Sequence, residues 1–149
     1  MHKDEEFMLL ALAEAQKAAQ LGEIPVGAVI VQNGVVLASS YNQRETEHDA
    51  TAHAEVLAIR EACRHMKSWR LAEATIYVTL EPCPMCAGAI WNARMQRVVY
   101  GAVDSRAGAA ESLFNVINNK YLNHQCQVTA GVCAEKCKKI LQDFFEKRR

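Results

Sequence analysis

The stretch that decides the fold is TIYVTLEPCPMC, residues 75–86. Its first five residues are all β-branched or aromatic, which predicts a buried strand. Pro82 follows that strand, and the next residues predict a helix that opens at Cys83. Cys83 and Cys86 are three positions apart and therefore share one face of the helix. Because a helix N-terminus carries partial positive charge, it favours the thiolate form that a metal ion binds.

A second helix start lies upstream, in residues 49–63. Apolar residues recur there at helical intervals, and Asp49 and Thr51 are the candidate caps. This spacing places His53 and Glu55 in the first helical turn. Both side chains are then expected to point into a site at the N-terminus of this helix.

Together the two helix starts offer three zinc ligands: His53, Cys83 and Cys86. Structural zinc sites are normally closed by four protein ligands, whereas three ligands leave one tetrahedral position for water. Zinc lowers the pKa of such a water to about 7. Glu55 is not needed as a ligand, so it is the candidate proton carrier. The order of these residues matches the H-x-E…P-C-x-x-C signature of zinc-dependent nucleobase deaminases.

Other interpretations of these motifs remain open at this stage. A Cys-x-x-Cys pair alone is also typical of a redox centre or of half a closed structural zinc site. A non-enzymatic, zinc-stabilised binding module would require a fourth protein ligand, for which His48, His65 and His124 are the candidates. The combination of both motifs, each at a predicted helix start, favours the open hydrolytic site.

Composition predicts a single domain over residues 1–149, because half of the residues are hydrophobic and no linker or repeat divides the chain. Apolar runs fall short of a membrane span, and the first residues are acidic where a signal peptide would be basic, so we expect a cytoplasmic protein without membrane contact. Six cysteines fit no disulfide framework in a chain of this length. We expect Cys133 and Cys137 to pack in the core.

The net charge is zero, with 17 basic and 17 acidic residues, so any nucleic-acid binding must use a local patch. The candidate patch is the end of the chain, where Lys136, Lys138 and Lys139 are followed by the basic tail, which we define as Lys147, Arg148 and Arg149. From the sequence alone, a solvated helix end with favourably placed cations is the favoured interpretation.

The remaining patterns predict the rest of the architecture. Helical periodicity runs from about residue 4 to Gly22, and Asn33-Gly34 between two apolar runs predicts a β-hairpin. A loop is expected over residues 41–48, after the hairpin. Further strands are expected near residues 97–100 and 128, a short helix over 113–118, and a last helix from about residue 134. This order predicts an α/β fold in which helices cover both faces of a mixed five-stranded sheet.

With these residues in view, the chain closely resembles the bacterial tRNA-specific adenosine deaminases of the cytidine-deaminase-like superfamily. The resemblance covers nearly the whole chain. Its matching stretches, beyond the metal motif, are residues 24–28, Asn42, residues 51–55, 68–71, 77–83, 85–88 and 97–101, Asp104, residues 108–110, 112–113, 123–124 and 144–145.

The resemblance implies a three-layer α/β/α sandwich, one zinc ion per chain, a homodimer, and hydrolytic conversion of adenosine to inosine in the anticodon loop of an arginine tRNA. It implies that His53, Cys83 and Cys86 hold zinc and that Glu55 carries the proton. The substrate-binding residues that it implies are Asn42 for the flipped nucleoside, Asp104 for the neighbouring nucleotide, Pro25 and Val26, and the basic tail for the RNA backbone.

From the residues alone, Asn42 fits a turn residue better than a binding residue, and Asp104 fits a loop acid better. The backbone amide of Ala54 is a candidate ligand contact, because early helical N–H groups lack partners inside the helix. The chain departs from the family at Glu111, where a small residue is usual, and at Ala50, where proline is frequent. The competing activity is deamination of free bases such as guanine or cytosine.

Overall fold

The computed structural model describes residues 3–148, which form one α/β unit. The elements in chain order are α1 (Lys3–Gln20), β1 (Gly27–Gln32), β2 (Val35–Tyr41), α2 (Arg44–Glu47), α3 (Ala54–Met66), β3 (Thr75–Leu80), α4 (Pro84–Asn92), β4 (Arg97–Ala102), β5 (Gln127–Ala130) and α5 (Ala134–Glu146).

The five strands form one mixed sheet in the order β2-β1-β3-β4-β5. β1 pairs antiparallel with both β2 and β3, whereas β3, β4 and β5 run parallel. Asn33 and Gly34 join β1 to β2 with φ values of 52° and 77°. Positive φ at both central residues is typical of a two-residue hairpin turn, so the predicted hairpin is confirmed.

Helices cover both faces of the sheet. Successive side chains of β3 point to opposite faces, and each set packs against different helices. Ile76 and Val78 pack with the buried alanines and isoleucines of α3 and α4. Tyr77, between them, packs in a second cluster with Met8 of α1 and Cys137 of α5. The three-layer α/β/α sandwich with a mixed five-stranded sheet is therefore confirmed, and Cys137 lies in the core as expected.

Two local predictions were wrong. The segment 113–118 forms turns instead of a short helix. The Asn115 side chain accepts a hydrogen bond from the Asn118 amide, and the Asn119 side chain accepts one from the Tyr121 amide. Such side-chain acceptors compete with helical hydrogen bonding. Conversely, the segment expected to be a loop after β2 contains the short helix α2.

No helix in residues 3–148 is both long and apolar enough to cross a membrane.

Candidate active site

The metal-ligand candidates lie at the starts of two helices on one edge of the sheet. His53 is the N-cap of α3, and Cys83 is the N-cap of α4 with Pro84 at the first helical position. Both residues have extended backbone and accept the first helical hydrogen bond through their carbonyl groups, from Leu57 and Ala87. Within the described chain, neither side chain caps its own helix, so the imidazole and the thiol are both free to bind a metal.

The two candidate caps, Asp49 and Thr51, do not cap α3. Asp49 Oδ1 accepts hydrogen bonds from the amide and hydroxyl of Thr51, at 2.8 and 2.7 Å. This Asx turn precedes the helix and leaves the N-cap position to His53. His53 therefore lies one residue before α3, while Glu55 lies in its first turn.

The three ligand atoms form a compact triangle. His53 Nδ1 lies 3.7 Å from Cys83 Sγ and 3.5 Å from Cys86 Sγ, and all three atoms lie within 4.8 Å of one another. Zinc bonds of about 2.0–2.1 Å to nitrogen and about 2.3 Å to sulfur at tetrahedral angles place N and S about 3.6 Å apart. The residues therefore fit a zinc ion without rearrangement.

No fourth His, Cys, Asp or Glu within residues 3–148 joins this triangle. His124, one of the candidates for a fourth ligand, instead places Nε2 2.9 Å from the Met95 carbonyl oxygen. The geometry favours an open three-ligand site over a closed structural one.

The charge state of the thiols agrees with metal binding. The Cys86 thiol donates to Cys83, and this bond together with His53 lowers the pKa of Cys83 to about 4. The same bond and burial raise the pKa of Cys86. The pair therefore shares one proton, which a divalent cation would displace. His53 has a raised pKa because it bonds to Cys83.

Glu55 lies beside this triangle and is 96% buried, with a relative exposure of 4%. Burial, the largest influence, raises the pKa of its carboxyl group to about 7. A carboxyl group with a pKa near neutrality can both accept and return a proton, which suits a general acid–base residue.

A cavity of about 180 Å³ opens next to Glu55. This volume is below the roughly 300–1,000 Å³ of drug-sized ligand sites, so the cavity suits a single ring system. Its lining residues are Ile24, Val26, Asn42, Arg44, His53, Ala54, Glu55, Leu80, Glu81, Cys83, Asp104 and Ala107.

Most expected substrate-binding residues line this cavity, but not all. Val26, Asn42, Ala54 and Asp104 line it. Pro25 is buried and is not among the lining residues.

The basic tail lies elsewhere. Lys147 and Arg148 line a larger groove of about 750 Å³ between α1 and α5. Arg149 lies outside the described residues. Arg148 donates a 2.6 Å hydrogen bond to the Gly22 carbonyl oxygen, two residues before Ile24 in the cavity wall.

Asn42 presents an unused acceptor. The residue is 6% exposed, and Nδ2 donates to the Ile24 carbonyl oxygen at 3.3 Å. Its Oδ1 is buried and has no hydrogen-bond partner among the described residues. A buried unpaired acceptor is unusual in a native protein, and at a cavity wall it is available to a donor on a bound molecule.

Two buried carboxylates went unnoticed in the sequence. Glu23 accepts hydrogen bonds from the Thr46 amide and hydroxyl at 2.6 and 2.7 Å, and from the Glu45 amide at 3.2 Å. It thereby holds the start of α2, which carries Arg44 into the cavity wall. Glu81 also lines the cavity and accepts hydrogen bonds from the backbone after β4. Their only sequence signal is a charged residue beside an apolar strand and a proline.

Comparisons with known proteins identify the family of this chain. The profile of the MafB19-like deaminase family matches residues 2–149. A tRNA-specific adenosine deaminase of Bacillus subtilis (strain 168) is 48% identical over 149 residues, covering 100% of this chain and 92% of the relative. One from Haemophilus influenzae is 46% identical over 147 residues, covering 98% and 85%.

Solved structures show the same relationship. A structure from studies of A-to-I editing by tRNA:A34 deaminases at the wobble position of transfer RNA matches with a TM-score of 0.88 and 44% identity, covering 91% of this chain and 99% of that one. Guanine deaminase from Bacillus subtilis matches with a TM-score of 0.65 and 42% identity, covering 74% and 70%. The chain therefore belongs to the MafB19-like deaminases and, among them, to the tRNA-specific adenosine deaminases.

Proposed function

We propose that this protein converts the wobble adenosine of a tRNA anticodon loop, an arginine tRNA by resemblance, to inosine by hydrolytic deamination. The observation that carries the proposal is the three-ligand triangle of His53, Cys83 and Cys86, with buried Glu55 beside it at a cavity that suits a single ring system. Full-length relatives named for the same activity support the choice of substrate.

His53, Cys83 and Cys86 would hold one zinc ion per chain through one nitrogen and two sulfur atoms. Bound zinc supplies Lewis acidity that makes water a competent nucleophile near neutral pH.

Glu55 moves the protons of the reaction. It takes one from the attacking water and delivers it to N1 of the purine, while the water oxygen forms a bond to C6. It then takes the remaining proton from the hydroxyl group now on C6 and delivers it to the amino group. The C–N bond breaks, ammonia leaves, and the oxygen stays on C6 as the carbonyl of inosine. Water and adenosine are thus converted to inosine and ammonia, and a pKa near 7 lets Glu55 serve in both directions.

The cavity wall would hold the nucleoside. Asn42 Oδ1 accepts a hydrogen bond from a donor on the substrate, which pairs an otherwise unpaired buried atom. Val26 and Leu80 give apolar contacts to the base. Ala54 opens α3, where an amide has no acceptor inside the helix, so it is free to donate to the substrate.

The flanking RNA would contact the cavity rim. Asp104 lies in the wall and is placed to contact the nucleotide next to the target. The target base must leave its stack to enter, and a base in a single-stranded loop gives up least by doing so. Arg148 and Lys147 would contact phosphates near the wall segment that begins at Gly22.

We also propose that the protein works as a homodimer in the cytoplasm. Large apolar side chains on the segment 103–126 are exposed in a single copy, including Leu113 at 51%, Phe114 at 53% and Tyr121 at 84%. A second copy would cover such a patch, and sedimentation or light scattering at micromolar protein concentration would measure its presence.

The second candidate is deamination of free guanine, which the 42% identity to a guanine deaminase favours. The test compares ammonia release and inosine formation on an anticodon stem-loop with ammonia release from free guanine. Inosine in the stem-loop with little release from guanine supports the proposal. Turnover of guanine that matches or exceeds that of the stem-loop assigns the protein to the second candidate.

A further inference from the structure

One wall of the cavity is built from backbone without regular secondary structure. β4 ends at Ala102, and residues 104–112, here called the 104–112 loop, follow as turns. This loop brings Asp104 and Ala107 to the cavity. Amide groups in irregular backbone need hydrogen-bond acceptors from outside a helix or sheet. The residues that supply these acceptors therefore fix the position of this wall.

A single side chain accepts hydrogen bonds from four of those amides. Glu81 is 2% exposed and follows directly after β3. Its Oε1 accepts from the Asp104 amide at 3.0 Å and from the Ser112 hydroxyl. Its Oε2 accepts from three successive amides, those of Ala110, Glu111 and Ser112, at 3.2, 2.8 and 2.8 Å. Every hydrogen bond that this carboxylate accepts from described residues comes from the 104–112 loop.

The loop also wraps closely around the carboxylate. A Cβ added at Gly108 would overlap the Glu81 carboxyl group and the Asp104 carbonyl oxygen. The Ala109 amide donates to the Pro82 carbonyl oxygen at 2.8 Å, so the loop is tied to the segment that leads into Cys83. The middle of the loop is thus pressed against the same segment that carries a metal-ligand candidate.

We infer that Glu81 positions the 104–112 loop, and through it Asp104, against the RNA that flanks the target base. Both carboxylate oxygens are occupied by the loop, so Glu81 acts on the substrate through the loop rather than by touching the reacting atoms. The identity of that ligand rests on the proposed function. The positioning itself rests on the hydrogen bonds and on the close approach at Gly108.

The substitution Glu81→Gln tests the inference, because it keeps the size of the side chain and removes one acceptor. A Gln carbonyl is expected to take the Oε2 position, which serves three amides. The Gln NH₂ group then faces the Asp104 amide, donor against donor, while the Ser112 hydroxyl can rotate to accept. The Asp104 end of the loop should therefore loosen most.

The direct measurement is amide hydrogen exchange followed by mass spectrometry. We expect peptides that cover residues 104–107 to exchange at least about tenfold faster in Glu81→Gln than in the wild type, with β1 unchanged. We expect about one zinc per chain in both proteins. For the stem-loop, KM should rise about 10- to 100-fold and kcat should fall much less, because the loop binds flanking nucleotides rather than the reacting centre.

Glu61→Gln is the matched control. Glu61 is an exposed carboxylate on α3 that accepts one backbone hydrogen bond, from the Ser39 amide at 3.2 Å. This control should keep wild-type exchange over 104–112 and a wild-type KM. Gly108→Ala is the second variant, since it displaces the same loop without changing the carboxylate, and it should raise KM in the same way.

Wild-type exchange over the 104–112 loop in Glu81→Gln would overturn the inference, and so would a raised KM without faster exchange there. If Glu81→Gln does not fold or loses zinc, Gly108→Ala decides: a wild-type KM in that variant overturns the inference, and a raised KM supports it. If the wild-type protein does not deaminate the stem-loop, the proposed function fails, while hydrogen exchange still tests the role of Glu81.

Discussion

The hydroxyl of Tyr100 donates a 2.7 Å hydrogen bond to Oε1 of Glu111. Tyr100 is 1% exposed, and burial together with this bond raises its pKa. Glu111 is one of the two positions, with Ala50, at which the family resemblance implies a different residue, here a small one. Its backbone amide still donates to Glu81, so the larger side chain leaves the loop in place. The Glu111 carboxylate instead pairs a hydroxyl that would otherwise be buried alone.

We therefore expect Glu111→Ala to destabilise the protein by about 1 kcal/mol, because it leaves the Tyr100 hydroxyl unpaired. Adding Tyr100→Phe removes that unpaired group, so the double variant should be no less stable than Glu111→Ala alone. Denaturant unfolding of the two single variants and the double variant measures the coupling. Strictly additive losses would show that the two side chains do not depend on each other.

Zinc binding is the second prediction. Because His53, Cys83 and Cys86 form one triangle, purified protein should contain about one zinc per chain. Cys83→Ala and Cys86→Ala should each lose most of it, as measured by elemental analysis. Cys63→Ala is the control, since Cys63 lies on α3 away from the triangle and bonds to the Trp69 carbonyl oxygen. Full occupancy in both ligand variants would place the metal elsewhere.

The third prediction separates proton transfer from metal binding. Glu55→Gln keeps the size of a buried side chain and removes its titratable proton, so zinc content and melting temperature should stay near the wild-type values. The rate on a stem-loop should fall by about 10² to 10⁴, the usual contribution of a general acid–base group. Loss of zinc in this variant would make Glu55 a ligand, and undiminished turnover would remove its assigned role.

Much of this site could be predicted from the sequence because each part has a local signal. Strand composition, a proline and a Cys-x-x-Cys pair predicted that Cys83 and Cys86 lie at a helix start. Apolar residues at helical intervals predicted the same for His53 and Glu55 on α3. Their meeting at one edge of the sheet followed from the order of the strands. Each helix start depends on a few residues that are close together in the sequence.

The parts that escaped prediction depend on contacts that are distant in the chain. Glu81 and its loop partners are separated by more than 20 residues, and a lone glutamate after a strand has no pattern that indicates such bonds. The turns at 113–118 have apolar residues at spacings compatible with a helix, but local asparagine side chains bind the backbone instead. Partners distant in the chain decided the first case. In the second, local side chains compete with the helix for backbone hydrogen bonds.

The fourth prediction uses the unpaired acceptor of Asn42. Asn42→Ala removes Oδ1, which has no partner among the described residues, and one 3.3 Å bond from Nδ2. Loss of an unpaired buried acceptor offsets loss of that bond, so the free energy of unfolding should change by less than about 1 kcal/mol. The value of kcat/KM on the stem-loop should fall about 10- to 100-fold, as for a lost substrate hydrogen bond in a buried site. A large loss of stability with unchanged kcat/KM would make Asn42 a structural residue.

The last prediction concerns the basic tail. The Arg148 guanidinium lies 4.5 Å from the centre of the Phe144 ring and donates to the Gly22 carbonyl oxygen, which holds Arg148 near the segment leading to the cavity wall. If Lys147, Arg148 and Arg149 contact phosphates, replacing all three by Gln should weaken stem-loop binding. The slope of log K against log[salt] should become shallower by up to about 2, since each single-strand contact contributes about 0.7.

The matched control replaces three exposed cations, Arg64, Lys67 and Arg70, by Gln. They lie at and just beyond the end of α3, whereas the site lies at its start, about 20 Å away for a 13-residue helix. This control removes the same charge from the protein and should keep the wild-type slope. Equal changes of slope in both variants would show that the slope follows the net charge of the protein rather than contacts of the tail. An unchanged slope in the tail variant would show that the tail is a solvated helix end. A shallower slope in the tail variant alone would assign the phosphate contacts to this end of α5.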